Sequence, residues 1–300
     1  MTELPAIGLA AMPGRRNKTL EIAQNIEKKG FAGIYCPSIG DGLALCQAIA
    51  QVTDSIEFGT AIAPIYYRSP EDYAHTISFI HEISEGRFHF GIGVAHEKSL
   101  TARGIVAGKP LFDTRDFIER LMNVPRVGDL PPIVLAALRD RMVSLSAEIG
   151  AGVIFANAAR SYMGTSLKSL GGRMQEEKFL VANMIPTCVH DDITIARAVN
   201  RKTLSSYALL PNYRNYWRSA GYGEEMDNVE SCIARNNLDG IGECLTDRWL
   251  DDTTIAGPAR RVREQIELWF ETGVSKPIIV PSSAEGGQMK ALEELFAVYT

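Results

Sequence analysis

Over about its first 160 residues the chain repeats one unit: a short β-branched apolar run, a polar turn, then about ten to fifteen residues whose apolar side chains recur at helical spacing. A strand followed by a helix returns the chain to start the next strand in the same direction, so such a repeat builds parallel β-α-β units. Strands are expected at residues 5–10, 33–36, 56–64, 87–94, 132–138, 152–156, 179–188 and 276–281. Leu20, Ala23 and Ile26 mark one face of a helix over 18–29, which Gly30 stops, and a second helix is expected over 43–52. Ser69 caps a third helix that Pro70 opens and Gly86 ends, with Asp72 completing a capping box. After a longer loop through Pro110, further helices are expected over 114–122 with Asp113 as cap, 141–149, from Gly257 and Pro258 to the stop at Gly273, and 288–298.

Eight such strands suit a doubly wound sheet or a closed barrel. The doubly wound form calls for GxGxxG after its first strand, but Gly8 to Gly14 holds only isolated glycines, and after Gly91-Ile92-Gly93 it is His96 that stands where the third glycine belongs. Gly104 to Lys109 has the wrong spacing for a phosphate loop, and Pro110 stands in place of its hydroxyl residue. The expected fold is therefore α/β: a (β/α)8 TIM barrel, one domain over residues 1–300, with a helical insertion after strand 7 at 191–251. The insertion is rich in aromatics (Tyr207, Tyr213, Tyr216, Trp217, Tyr222, Trp249), which either pack against the barrel's side or form a lid at its mouth.

The 36 acidic residues outnumber the 31 basic ones, so no excess positive field is available to hold a nucleic-acid backbone. No apolar run approaches the roughly 18 residues of a membrane span, and residues 1–20 lack the apolar run of a secretory signal; a cytoplasmic protein without a membrane partner is expected. The five cysteines include no CxxC and read as scattered reduced thiols, and the five histidines include no HExxH, so no metal site is expected. At the strand C-termini, where a barrel's active site lies, stand small and apolar groups instead of paired carboxylates or a Ser/His/Asp set. Such a mouth suits a large flat cofactor that carries the chemistry while the protein orients it.

The block Phe58-Gly59-Thr60-Ala61-Ile62-Ala63-Pro64-Ile65-Tyr66-Tyr67-Arg68-Ser69-Pro70, followed by Gly86-Arg87-Phe88-His89-Phe90-Gly91-Ile92-Gly93-Val94-Ala95-His96, resembles the bacterial luciferase-like flavin-dependent oxidoreductases. The resemblance continues through Gly108-Lys109-Pro110, the 132–138 strand with Arg141 and Met142, Leu210-Pro211-Asn212-Tyr213, and Gly257-Pro258 with Gly273-Val274. It implies a TIM-type barrel, usually a homodimer, binding coenzyme F420 or, alternatively, FMN at the strand ends. Also implied are a small-molecule substrate and a separate flavin or F420 reductase as partner. The branch with a Gly-Val-x-His block looks most like the F420-dependent members. In function this means hydride transfer between F420 and a small organic substrate; an FMN monooxygenase and a non-catalytic flavin-binding protein are the alternatives.

Residue by residue, the resemblance places a bulge with a cis peptide at Ala61-Ile62, followed by Ala63, behind the ring. It puts Gly93, Val94 and His96 after strand 4, the cofactor phosphate near Ala137, Leu138, Arg139 and Arg141, and Asn157 after strand 6. The N-terminus of the helix after strand 5, with backbone N–H groups from Ala137 to Arg141, is physically an anion site. Relatives that oxidise alcohols carry an Asp-His pair after strand 2, where this chain has Ser38-Ile39, so their proton relay is absent. Cys36, Ser38, Tyr66 and His96 are the candidate catalytic residues, with Tyr67 a further proton carrier; the bland reading of each is packing.

Overall fold

The computed structural model describes residues 3–299; residues 1, 2 and 300 of the expected domain lie outside it. The chain divides into two compact units, Met1–Ile154 with Ser169–Ala182, and Phe155–Lys168 with Asn183–Thr300.

The first unit carries β1 (Ala6–Gly8), β2 (Ile34–Cys36), β3 (Phe58–Thr60), β4 (Ala63–Pro64), β5 (Phe88–Gly93), β6 (Ile133–Ala136) and the start of β7 (Gly152–Ala156). Neighbours β1, β2, β3, β5, β6 and β7 all pair in parallel. Helices Arg16–Lys28, Gly42–Val52, Pro70–Ile83, Pro110–Met122 and Asp140–Ile149 alternate with them, as the repeat implied. The strands are short apolar runs rather than alternating ones because both faces of a helix-covered parallel sheet are dry.

Register aligns Ile34 with Phe58 and Phe58 with Phe88, and in the next row Tyr35 with Gly59 and Gly59 with His89. The glycine in the middle of the second row matters. A Cβ there would overlap the His89 carbonyl oxygen, and its absence lets the Tyr35 hydroxyl reach His89 Nδ1 at 3.3 Å with the rings nearly parallel.

Just beyond, the expected strand 56–64 breaks in two. Gly59 pairs with His89 but Ala63 pairs with Ile92, so four steps on one strand match three on the other: a bulge of one residue. The Ala61-Ile62 peptide inside it is cis. The bulge is pinned by a close backbone crossing, with Thr60 Oγ1 donating to the Gly91 carbonyl at 2.7 Å and the Thr60 carbonyl lying against the Gly91 Cα.

The second unit holds most of β8 (Leu180–Val189), with β9 (Ile255–Gly257) pairing beside it in parallel and β10 (Lys276–Ser282) also paired to it. Residues 191–251 are helical: Ile193–Ala208, Pro211–Ser219, Gly223–Ala234, Ile241–Cys244 and the start of Asp247–Thr253. Its aromatics build that unit's own core. Tyr207 meets Tyr213 at 5.2 Å, Tyr213 meets Trp217 at 5.4 Å, and Trp217 meets Trp249 edge-on at 4.7 Å. Both tryptophans are fully buried.

Several expectations are corrected. Asp113 does not cap a helix beginning at Thr114: the helix starts at Pro110 after Lys109, and the Asp113 carboxylate instead accepts from Tyr66 and Gly108. The stretch leading to Pro110 contains the helix Glu97–Thr101, and Gly257 ends a short strand before the helix Ala259–Phe270 begins. The thiols are not all scattered, since Cys232 and Cys244 lie 3.6 Å apart.

The crossing at Gly91 yields a stability prediction. Gly91→Ala drives a Cβ into the Thr60 carbonyl and should lose about 3 kcal/mol or more, whereas Gly164→Ala, whose added Cβ meets nothing within 4 Å, should stay within about 1 kcal/mol of wild type. Urea unfolding followed by circular dichroism reads both.

Candidate functional site

In the first unit the strand C-termini set out most of the candidate residues. At the end of β2, Cys36 is 1% exposed, and its contact is the Cys46 thiol, which burial and then the hydrogen bond to Cys36 push well up. Cys36 thus sits in the core. Two residues on, Ser38 is exposed and lines a pocket of about 230 Å³ together with Thr60, Ile62, Ala63, Tyr67 and Arg68. The bulge makes this arrangement, because the extra residue swings Ile62 to the pocket while Ala61 stays buried.

Arg68 closes one side. Its guanidinium pairs with Asp41 at 2.8 Å and Asp72 at 3.7 Å and lies 5.8 Å from the Tyr73 ring centroid. Asp41 also caps the helix Gly42–Val52 by accepting from Ala44 N–H, so Arg68 is held from both strand ends. Sequence reasoning did not single out Arg68 as a site residue; its charge among otherwise apolar strand-end residues was the available signal.

Tyr66 is not free to exchange protons. Its hydroxyl donates to Asp113 Oδ2 at 2.6 Å, and the Gly108 N–H donates to the same oxygen at 2.9 Å. Burial, then the bond to Asp113 and its charge, push the phenol far above its ordinary value. After β5, Gly93 packs under Ile62, where a Cβ would come 3.0 Å from Ile62 Cδ1 and 3.1 Å from Ala136 Cβ. Val94, Ala95 and His96 are half-buried, with Ala95 at φ 60°, and the His96 carbonyl accepts from Ser99 N–H at 2.8 Å to start the helix Glu97–Thr101. Burial lowers the His96 pKa, so the ring is neutral at pH 7.

After β6, the Ala137 N–H is spent on the Ile154 carbonyl at 3.0 Å, which corrects the expectation that it is free. Arg139 occupies the N-cap of Asp140–Ile149, and no side chain caps that terminus. Arg139 and Arg141 are exposed and Leu138 half-buried. The uncapped turn and two guanidiniums favour an anion, against which Asp140 in the first turn works.

Asn157 belongs to the second unit. It is buried at φ 56°, its N–H donates to Met184 O at 3.0 Å, and its carbonyl accepts from Trp217 Nε1 at 3.0 Å. Asn183, which sequence reasoning missed, accepts from Ala158 N–H at 3.4 Å through Oδ1. The Asn183 Nδ2 atom is buried with no acceptor among the described residues, whereas the Asn157 side chain hydrogen-bonds to Tyr207. Buried amide donors of this kind are costly unless an acceptor is supplied.

Among the described residues no group of three or more His, Cys, Asp or Glu is placed to hold a metal ion, and no helix is long and apolar enough to cross a membrane.

The lowered His96 pKa gives a pH prediction. The unfolded chain takes up this proton at higher pH than the folded one, so stability should rise with pH from the folded pKa up to about 6.5 and be flat in this group above that. His96→Gln should show a shallower rise just below about pH 6.5 in urea unfolding. An NMR titration of the His96 ring with its midpoint at or above 6.5 would contradict the assignment.

The profile of the family described as luciferase-like monooxygenase matches residues 4–124 and 112–276. A Mycobacterium tuberculosis protein provisionally named a coenzyme F420-dependent oxidoreductase is 23% identical over 282 residues, covering 78% of this chain and 81% of that one. Among solved structures, the coenzyme F420 dependent tetrahydromethanopterin reductase from Methanopyrus kandleri superposes with a TM-score of 0.76 at 16% identity, covering 97% of each chain. The oxygenating constituent of 3,6-diketocamphane monooxygenase from Pseudomonas putida, solved in complex with FMN, gives 0.62 at 15% identity, again covering 97% of each. These likenesses show the fold to be a TIM barrel. With the profile spanning most of its length, the chain belongs to the luciferase-like monooxygenase family.

Proposed function

We propose that this protein is an oxidoreductase that transfers hydride between coenzyme F420 and a small organic substrate. One observation carries the reading: the strand ends hold few proton-bearing groups and no paired acid and base. Cys36 is in the core and the Tyr66 proton is held by Asp113, which leaves Ser38, Tyr67 and a His96 whose pKa burial lowers. A chain so poor in acid, base and nucleophile needs a bound group to do the redox work. The relatives named for coenzyme F420 support the deazaflavin; the neighbour solved with FMN supports FMN as the second reading, in which a separate flavin reductase would supply the electrons.

The residues present fit such a group. Ala61, Ile62 and Ala63 at the bulge, with Gly93 and Val94 after β5, would hold an apolar ring, and Leu138, Arg139 and Arg141 its anionic tail, through an uncapped turn and guanidiniums that must outweigh Asp140. When bound in its reduced form, the deazaflavin supplies a hydride.

The chain's own part is then limited. Half-buried Ile62, Val94 and Leu138 exclude water; His96, uncharged at pH 7, can accept a proton at a ring nitrogen; the Ser38 hydroxyl can orient a polar group of a substrate in the pocket it lines. Arg68 and Asp41 neutralise each other at the pocket edge, which suits a substrate without strong net charge.

Purified protein titrated with F420 and with FMN, followed by cofactor fluorescence, should bind F420 the more tightly. Arg139→Glu should weaken that binding severalfold, and the reduced complex should be stable to oxygen. Tight FMN binding with oxygen consumption would move the assignment to a monooxygenase, and binding of neither would overturn both.

A further inference from the structure

Cys232 and Cys244 are 12 residues apart and belong to no sequence motif, yet their sulfurs lie 3.6 Å from one another. Local backbone chemistry brings them together. Cys232 sits in the last turn of Gly223–Ala234, which ends at Asn236 in the left-handed conformation, φ 54°. Asn236 N–H donates to Ile233 O and Asn237 N–H to Cys232 O, a paired termination that reverses the chain. The Asn237 side chain then accepts from Gly240 N–H at 3.2 Å, and the short helix Ile241–Cys244 carries Cys244 back over Cys232. Both thiols are half-buried, and residues 234–239 between them are exposed, so a small oxidant can reach the pair. Cys36, Cys46 and Cys188 are buried.

We propose that Cys232 and Cys244 are a redox modification site: a dithiol that a hydroperoxide closes to a disulfide and a thiol reductant reopens. The thiolate form of Cys232 attacks the peroxide, its O–O bond breaks, an alcohol or water leaves, and a sulfenic acid remains on Cys232. The Cys244 sulfur then attacks that sulfur; the S–S bond forms, the S–O bond breaks, and the hydroxyl leaves as water with the Cys244 proton. Two thiols and one peroxide ROOH thus give one disulfide, ROH and water, the pair losing the two electrons that the O–O bond gains. The order follows from the environment: the Cys244 thiol can donate to the Gly240 carbonyl 3.6 Å away, and burial, then the hydrogen bond with Cys232, push it up to about 11, so it keeps its proton and serves as the resolving partner. The bond would tie the last turn of Gly223–Ala234 to Ile241–Cys244 within the insertion.

The test uses the full-length protein, first reduced, then treated with hydrogen peroxide. Thiol titration without denaturant should read two reactive groups before treatment, none after, and two again after dithiothreitol, with a non-reducing peptide map linking Cys232 to Cys244. Cys244→Ser should instead carry Cys232 on to sulfinic acid. Amide exchange across 232–244 should slow by roughly tenfold on oxidation in the wild type, since closing a loop restrains its opened states. Sulfinic acid at Cys232 in the wild type, a pair that remains reduced at peroxide levels that oxidise Cys244→Ser, or unchanged exchange after disulfide formation would each overturn the proposal.

Discussion

The first unit depends on the crossing of Thr60 over Gly91. Two backbones can approach this closely only where one carries no Cβ, and the Thr60 hydroxyl locks the approach by donating to the Gly91 carbonyl. With the strands pinned there, the extra residue between Thr60 and Ala63 has nowhere to go but outward. Ile62 therefore lines the pocket, Ala63 and Pro64 rejoin β5 in register, and Gly93 can pack beneath Ile62.

Around that fixed point burial decides protonation. Tyr66 and His96 would be the natural proton carriers on residue type alone, but one is locked to Asp113 and the other is desolvated into its neutral form. The surface left at the strand ends is apolar, with cationic side chains and an uncapped helix terminus at one end and an Arg-Asp pair at the other. Orientation and electrostatics are what such a surface can provide, which is why the chemistry is assigned to a bound group.

The alternation of strands and helices was legible because it is written in local periodicity, and the helix begun by Ser69 and Pro70 was legible because a cap is a property of four consecutive residues. Asp113 shows where local reading stops. Its spacing suited a cap, but a partly buried tyrosine 47 positions away and the Gly108 N–H competed for the same carboxylate and won. The break at Ala61-Ile62 came from resemblance alone, since no periodicity marks a bulge of one residue. Arg68, Asn183 and the Cys232–Cys244 pair were missed for a common reason: each acquires its meaning from a partner or pocket that the fold supplies.

A flavin-type cofactor held at the strand ends of the first unit, as proposed, would shield their backbone from solvent. Amide hydrogen exchange measured by mass spectrometry, with and without saturating F420, should then show slowed exchange concentrated in peptides spanning 60–66, 93–96 and 138–142. Saturating binding that leaves these three segments unchanged while protecting others would contradict the proposal.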